Sequence, residues 1–169
     1  RYGLSQWIVS KENPLTARTL VNRVWDQIFG RGIVATIEDM GTQSDPPTHP
    51  ELLDWLALSF MNEDQWSIKA LIKDIVMSGT YRQNSENSPE LYQRDPQNEL
   101  YARGPRLRLT AEQIRDQALA VSGLLSPKMY GPGVMPPQPE GIWQSVYSNE
   151  KWTESEGEDK NRRAVYTYL

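Results

Sequence analysis

The only histidine of this 169-residue chain, His49, sits in Thr48-His49-Pro50-Glu51, directly ahead of an apolar stripe. An imidazole titrates near neutrality, which makes His49 a candidate catalytic general base. A triad would need a hydroxyl and a carboxylate brought close to it in space. Thr48, Ser44 and Asp45 are near in sequence, but no nucleophile elbow of the Gly-x-Ser-x-Gly type is present. The competing reading is a first-turn imidazole that fixes the loop before a helix. Whether the chain is an enzyme stays open at this level.

Arginines offer a second chemistry. Arg103, Arg106 and Arg108, with Arg82 and Arg115, form the most concentrated positive charge. Guanidinium groups near a helix start at Thr110 are suited to a sulfate, a phosphate or an acidic sugar. Glu112, Asp116 and Asp95 are the counter-charges that would instead make them structural. Arg18, Asn22 and Asp26 stand at i, i+4 and i+8 along one helical face, and Arg23 stands beside Asp26 and Gln27. They read either as a polar site next to Trp25 or as hydrogen bonds between elements, for which the planar guanidinium fork is well shaped. Arg23 or Arg31 would orient an acidic group in the first case. Trp143, Tyr147 and Trp152 could stack on sugar faces. The binding candidates are therefore Arg23, Arg31, Arg82, Arg106, Arg108 and Trp143.

Other chemistries find little support. Glu112 with Asp116, and Glu51 with Asp54, are paired at helical spacing, but such neighbours are common and a glycosidase needs two acids at set distances across a sugar. Glu154, Glu156, Glu158 and Asp159 lack the glycine and terminal glutamate spacing of an EF-hand loop. With no cysteine and one histidine, the chain cannot form a thiolate or multi-imidazole zinc site or attach haem covalently. No metal and no cofactor is expected in it.

A chain of this length fits one domain and can bury roughly two thirds of its unfolded surface, so it needs no staple. Six Trp and eight Tyr against two Phe favour rings with a polar edge, which suit core margins and interfaces. A net charge of −4 argues against a nucleic-acid backbone as partner. No segment approaches the ~20 apolar residues of a membrane span, and no signal peptide is visible.

These side chains must be positioned by helices. Tyr2 to Val9 reads as a short one. Asn13-Pro14 is a start signal, after which Ala17, Leu20, Val21, Val24, Trp25 and Ile28 recur at helical spacing until Gly30 and Gly32 turn the chain. Gly41 to Pro47 reads as a loop. Thr48 is the expected N-cap of a helix carrying Leu52, Leu53, Leu56, Ala57 and Phe60. Another follows Trp66-Ser67, with Ile68, Leu71, Ile72, Ile75 and Val76 on its stripe. Gln83 to Pro89 reads as a polar loop, Asp95-Pro96 as the opening of a single turn, and Arg103 to Leu109 as extended. Thr110-Ala111-Glu112-Gln113 fits a capping box, opening a helix with Ile114, Ala118, Val121 and Leu125 on its apolar face. Pro127 to Gly141 is too rich in Pro and Gly for regular helix. Val165 to Leu169 has strand-like residues with no evident partner. The expected fold is mainly α: a compact bundle of about four to five helices, 1–126, with an irregular Pro/Gly-rich tail, 127–169, on the same single domain. Trp25, Trp55 and Trp66 are expected as core or core-edge anchors.

The motifs Asn13-Pro14-Leu15, Val21-Asn22-Arg23-Val24-Trp25, Phe29-Gly30-Arg31-Gly32-Ile33-Val34 and His49-Pro50-Glu51-Leu52-Leu53-Asp54-Trp55-Leu56-Ala57 occur in order. Ser78-Gly79-Thr80-Tyr81-Arg82-Gln83, Asp95-Pro96 with Asn98, and Arg108-Leu109-Thr110-Ala111-Glu112-Gln113-Ile114-Arg115-Asp116 follow. On these motifs the chain resembles the domain of unknown function 1553 family, from about Leu4 onward. The resemblance implies a C-terminal region of a larger planctomycete-type protein, secreted or periplasmic. Such a protein often carries another uncharacterised domain upstream and sometimes a cytochrome c-like haem module. Family members usually continue past the equivalent of Tyr166-Thr167-Tyr168, so this chain is expected to be a piece that stops short. The loop at Asp45-Pro46-Pro47-Thr48 departs from the usual form, which weakens any role for its hydroxyl. The expected function is that of a structural or interaction module docking on neighbouring domains of its parent. The alternative is a glycan-binding or hydrolase domain that takes an acidic or sulfated glycan.

Overall fold

Ala17, Val21, Trp25 and Phe29 recur every fourth residue, and the segment that carries them winds into the helix that organises the core. In the computed structural model, which describes residues 1–139, 141 and 152–168, six α-helices occur among the described residues: α1 Tyr2–Ile8, α2 Thr16–Phe29, α3 Pro50–Asn62, α4 Ile68–Met77, α5 Pro89–Arg94 and α6 Ala111–Val121. Two short 3-10 turns, Gly157–Asn161 and Ala164–Tyr166, follow. The chain divides into two compact units, Arg1–Leu107 and Arg108–Leu169.

In the first unit α2 packs on α3, and α4 packs on both. Ala17, Val21, Trp25 and Phe29 from α2 meet Leu53, Leu56, Ala57, Phe60 and Met61 from α3, with Leu71 and Ile75 from α4. Each fully buried large side chain contributes about 1.5–3 kcal/mol of transfer free energy. The caps are local. Asn13 Oδ1 accepts from the N–H groups of Leu15 and Thr16 at 2.9 and 3.1 Å, so it gathers the free donors at the start of α2. Gly30 ends α2 with φ +76°, the left-handed conformation that glycine tolerates best. Ser67 and Ser88 cap α4 and α5.

Four expectations are corrected here. Thr48 does not cap α3; His49 holds the N-cap position without a side-chain bond. Thr48 is drawn away because its N–H and hydroxyl both donate to the Ile33 carbonyl, at 2.9 and 3.2 Å. Trp55 is not a core anchor: it is 57% exposed, because α3 turns Leu53 and Leu56 inward and position 55 lies between them on the far side. Trp25 is buried, and Trp66 packs at the core edge. Pro14 is not the first residue of α2, which begins at Thr16 with Leu15 at its N-cap position. The expected polar loop from Gln83 leads into a short helix, α5, started by Ser88 and Pro89. After α5, Asp95 does open a turn, its carboxylate accepting from the N–H groups of Glu99 and Leu100, both at 2.8 Å.

The fourth correction concerns the second unit. The capping box of Thr110 and Gln113 is present, but the apolar face of α6 is not its packed face. Ile114 is exposed and Val121 is 82% exposed. The opposite, polar side does the packing. Arg115 donates to the carbonyls of Arg162 and Lys160 at 2.7 and 3.0 Å, and Asp116 accepts from the N–H of Ala164 at 2.7 Å. The segment joins the two 3-10 turns, and these side chains pair with backbone groups at the junction. Val134 gives the end of the chain a partner: its N–H donates to the Tyr166 carbonyl at 2.8 Å, and its carbonyl accepts from Tyr168 at 3.0 Å. That pairing is a single parallel bridge, Val134 with Thr167. No other strand pairing occurs among the described residues.

Candidate functional site

Two clusters in the first unit collect the residues that the sequence marks for chemistry. The first surrounds Tyr101. The turn after Asp95 is tied to itself: Arg103 donates to the carbonyls of Asp95 and Pro96 at 2.9 and 3.0 Å, and Asn98 donates to the Arg103 carbonyl at 2.8 Å. So held, Tyr101 sits at φ +51°, a conformation that costs a non-glycine residue about 1–3 kcal/mol. The strained turn drives the ring into the core. There it meets Trp25 and Phe29 in edge-to-face contacts, at 5.2 and 5.3 Å between centroids. Trp25 and Phe29 themselves stack at 4.3 Å.

His49 joins this cluster. Its ring lies 5.4 Å from that of Tyr101, tilted, and its Nδ1 is 3.0 Å from the Thr48 hydroxyl. No carboxylate lies within ion-pair distance of His49 among the described residues. Burial holds the Tyr101 hydroxyl above its usual pKa, Asp26 adds slightly to that rise, and Trp25, Arg31 and Thr48 draw it part of the way back. The Trp25 indole N–H makes no hydrogen bond of ordinary geometry, so its share is weaker than a full bond. A phenol raised in this way stays protonated at neutral pH and donates, here to the Arg31 carbonyl at 3.3 Å. Imidazole, hydroxyl and phenol are thus together, but the carboxylate that would orient a base is missing from the group.

The second cluster is a cleft of about 310 Å³. Arg31, Arg103 and Arg106 line it together with Gly30, Gly104, Ser85, Asn87, Gln97, Asn98 and Leu107. Two close approaches shape it. A Cβ on Gly30 would fall 2.2 Å from Leu107 Cδ2, and one on Gly104 would fall 2.7 Å from the Gln83 carbonyl oxygen. Gly104 needs glycine because the atom it meets is backbone; the Leu107 side chain could swing away from Gly30, where it is the left-handed φ that favours glycine. Arg31 reaches Glu99 at 2.7 Å and also bonds Gln97. Arg103 is 8% exposed and is held by carbonyls, as above. Arg106 is exposed, and its only hydrogen bond among the described residues is a long one, 3.4 Å, to the Ser85 hydroxyl.

The structure thus brings Arg31 and Arg106 to one cleft and leaves the other candidates elsewhere. Arg23 is exposed and faces Glu38 at 3.4 Å. Arg82 is exposed just past the end of α4, and Arg108 is exposed in the second unit. Trp143 and Tyr147 lie outside the described residues. Trp152 donates its indole N–H to the Pro136 carbonyl at 2.8 Å. Arg18, Asn22 and Asp26 do not form one site. Arg18 pairs with Asp54 at 2.5 Å, whereas Asn22 is buried against Val34. Glu158 and Asp159 of the acidic run bond Ser126 and Lys128, and no cluster fit for a metal ion occurs among the described residues. Sequence reasoning missed Tyr101, Ser85, Asn87 and Gln97. The signal available for Tyr101 was the Asp95-Pro96 and Asn98 motif that builds its turn.

The Arg18–Asp54 pair makes a pH prediction. The Arg18 hydrogen bond holds the Asp54 carboxyl below the usual range; desolvation opposes it in part, and the Arg18 charge adds a still smaller lowering. A folded pKa below the unfolded one stabilises above about pH 4, and that stability is lost as pH falls through the folded value. The pair is largely exposed, so the effect is about 0–1 kcal/mol. Asp54→Asn is expected to remove that part of the acid limb in urea midpoints measured between pH 3 and pH 7, roughly the range around the carboxylate's ordinary value.

The family model "PSD1: Protein of unknown function (DUF1553)" matches residues 1–169. No curated protein and no solved structure matches the chain.

Proposed function

The chain belongs to the PSD1 (DUF1553) family, and from that premise we propose that it is a non-catalytic module that docks on neighbouring segments of a longer, extracytoplasmic protein. The observation that carries this reading is α1. The helix has seven residues and buries none of them, although Tyr2, Leu4, Trp7 and Ile8 belong to it and Val9 follows it, all exposed. A helix this short is marginal alone. Asn13 and Thr16 tie its end to α2 through the Trp7 and Ile8 carbonyls. An apolar run held in place yet left uncovered is the form a docking element takes. Trp55 and Leu58 add exposed apolar surface on α3.

The His49 cluster supports the same reading from the other side. The imidazole packed on the Tyr101 ring, with Thr48 bonded to the Ile33 carbonyl, suits holding the 48–49 loop on Ile33 and Tyr101. No described helix is long and apolar enough to cross a membrane. The extracytoplasmic setting, and a haem module elsewhere in the parent, rest on the family resemblance and belong to the proposal.

The absence of cysteine gives a clean test. Leu4→Cys places a single thiol on the exposed face of α1. It is expected to react at the rate of a free thiol in the isolated chain and at least about tenfold more slowly in the full-length parent, the change that corresponds to about 1.4 kcal/mol of protection. Equal labelling rates would overturn the proposal.

A further inference from the structure

We infer that the cleft between Arg31 and Arg106 binds the oxyanion of a small polar ligand: a carboxylate, sulfate or phosphate group. The inference is independent of the docking role of α1. Among the described residues, three arginines and no acidic residue line this cleft, in a chain whose net charge is −4. Glu99 outside the lining meets the charge of Arg31. Arg103 and Arg106 have no carboxylate within ion-pair distance among the described residues.

Arg103 is more than nine-tenths buried, and a buried cation is costly unless it is compensated. Its carbonyl partners at Asp95 and Pro96 supply hydrogen bonds but no net charge. Arg106 stands at the same wall with its two terminal amino groups unused among the described residues. The guanidinium fork is the side chain best shaped for a planar or tetrahedral oxyanion. An anion at this point would neutralise both charges at once. Ser85 and Asn87 add a hydroxyl and an amide for the ligand's remaining polar groups.

The space fits a small molecule. The cleft of about 310 Å³ adjoins a second of about 660 Å³ that shares Asn87, Arg103 and Arg106. Binding sites for small ligands span about 300–1,000 Å³. The shared residues place the cationic groups at the junction, with room on the far side for a body such as a sugar ring. Two sequence features support a built site. Gly104 allows the close backbone approach that forms part of its wall, and the self-tied turn from Asp95 to Arg103 fixes the deeper arginine.

The test uses the chain itself with sulfate, phosphate, glucuronate and glucose as probes, at ionic strength matched with chloride. Binding is read by nuclear magnetic resonance titration of the arginine side-chain signals and by thermal shift. At least one of the three anions is expected to move the Arg106 and Arg31 signals saturably and to raise Tm, while glucose does neither. Arg106→Gln changes an exposed residue and is expected to keep the fold. It should weaken the anion by about tenfold or more, the loss of one charge-assisted contact. Arg82→Gln, an exposed arginine outside the cleft, should leave the affinity unchanged. Preference for glucuronate over both inorganic ions would assign a carboxylated sugar; preference for sulfate or phosphate would assign an ester of that kind. Failure of all three anions to saturate would overturn the inference. So would equal affinity in Arg106→Gln and the parent chain, or glucose binding as tightly as glucuronate.

Discussion

Asn22→Leu is expected to destabilise the first unit by about 2–6 kcal/mol, because it strands two buried backbone groups, each costing about 1–3 kcal/mol without a partner. Asn22 is fully buried in α2. Its amide nitrogen donates to the Val34 carbonyl and its amide oxygen accepts from the Val34 N–H, both at 2.9 Å. One side chain thus supplies the whole hydrogen-bonding need of a residue that has no ladder or helix to do so. Leucine keeps the branching of the side chain, but its methyl groups are bulkier, so overpacking adds to the cost at this buried site. Urea unfolding should show a lower midpoint with an unchanged slope. A loss below about 1 kcal/mol would mean that Val34 finds other partners. Asn22→Asp sharpens the test. The introduced carboxylate keeps the acceptor, loses the donor and buries a charge, so its folded pKa must rise. Its penalty should be full above that raised value and shrink as pH falls through it. The neighbourhood explains Gly32 as well. A Cβ there would lie 2.5 Å from the Val34 oxygen and 2.8 Å from the Asn22 amide nitrogen.

Arg162→Met should release the second unit's C-terminal segment at a cost of about 3 kcal/mol or more, since a hydrogen bond from a charged group contributes about 1.5–3 kcal/mol. Arg162 is 1% exposed. It donates to the Pro132 carbonyl at 3.0 Å and to the Tyr130 carbonyl, and its guanidinium carbon lies 3.9 Å over the Tyr166 ring. Its own carbonyl accepts from Arg115. Few apolar side chains are buried in this unit: Val134 and Ala164 are the buried hydrophobics among its described residues. The guanidinium therefore does work that a larger apolar core would otherwise do. Hydrogen exchange at the Val134 and Tyr168 amides, which carry the parallel bridge, is expected to accelerate. The amides of α3 should keep their protection. Unchanged exchange at Val134 and Tyr168 would show that the bridge does not depend on this arginine.

Both predictions concern polar residues placed where apolar ones are usual, and this marks the limit of sequence reasoning. The apolar periodicity of α2, α3 and α4 located the helices of the first unit, and the Thr110–Gln113 pair located the start of α6. The same periodicity misread α6. Ile114, Ala118 and Val121 repeat at helical spacing, yet Arg115 and Asp116 on the other side make the contacts. Periodicity reports which residues share a face, not which face is covered. Trp55 fails for a different reason: it lies off the apolar stripe of α3, and its exposure follows from that stripe. At the arginine cleft, the sequence named Arg31 and Arg106 as candidates but could not join them. They lie far apart in the chain, and the Asp95–Arg103 turn with the close backbone approach at Gly104 brings them to one cleft.

What the residues alone determined about this protein is its local order: helical stripes, the Asn13 and Thr110 starts, the glycine stop at position 30 and the absence of thiol or multi-histidine metal chemistry. These depend on neighbours a few positions away, where spacing and side-chain type carry the physics. The tertiary structure alone decided that His49 packs on Tyr101, that Asn22, Arg103 and Arg162 are buried, and that Arg31 and Arg106 line one cleft. Each of these outcomes depends on which distant backbone groups lack partners and which side chain can reach them, and chain spacing does not encode that reach.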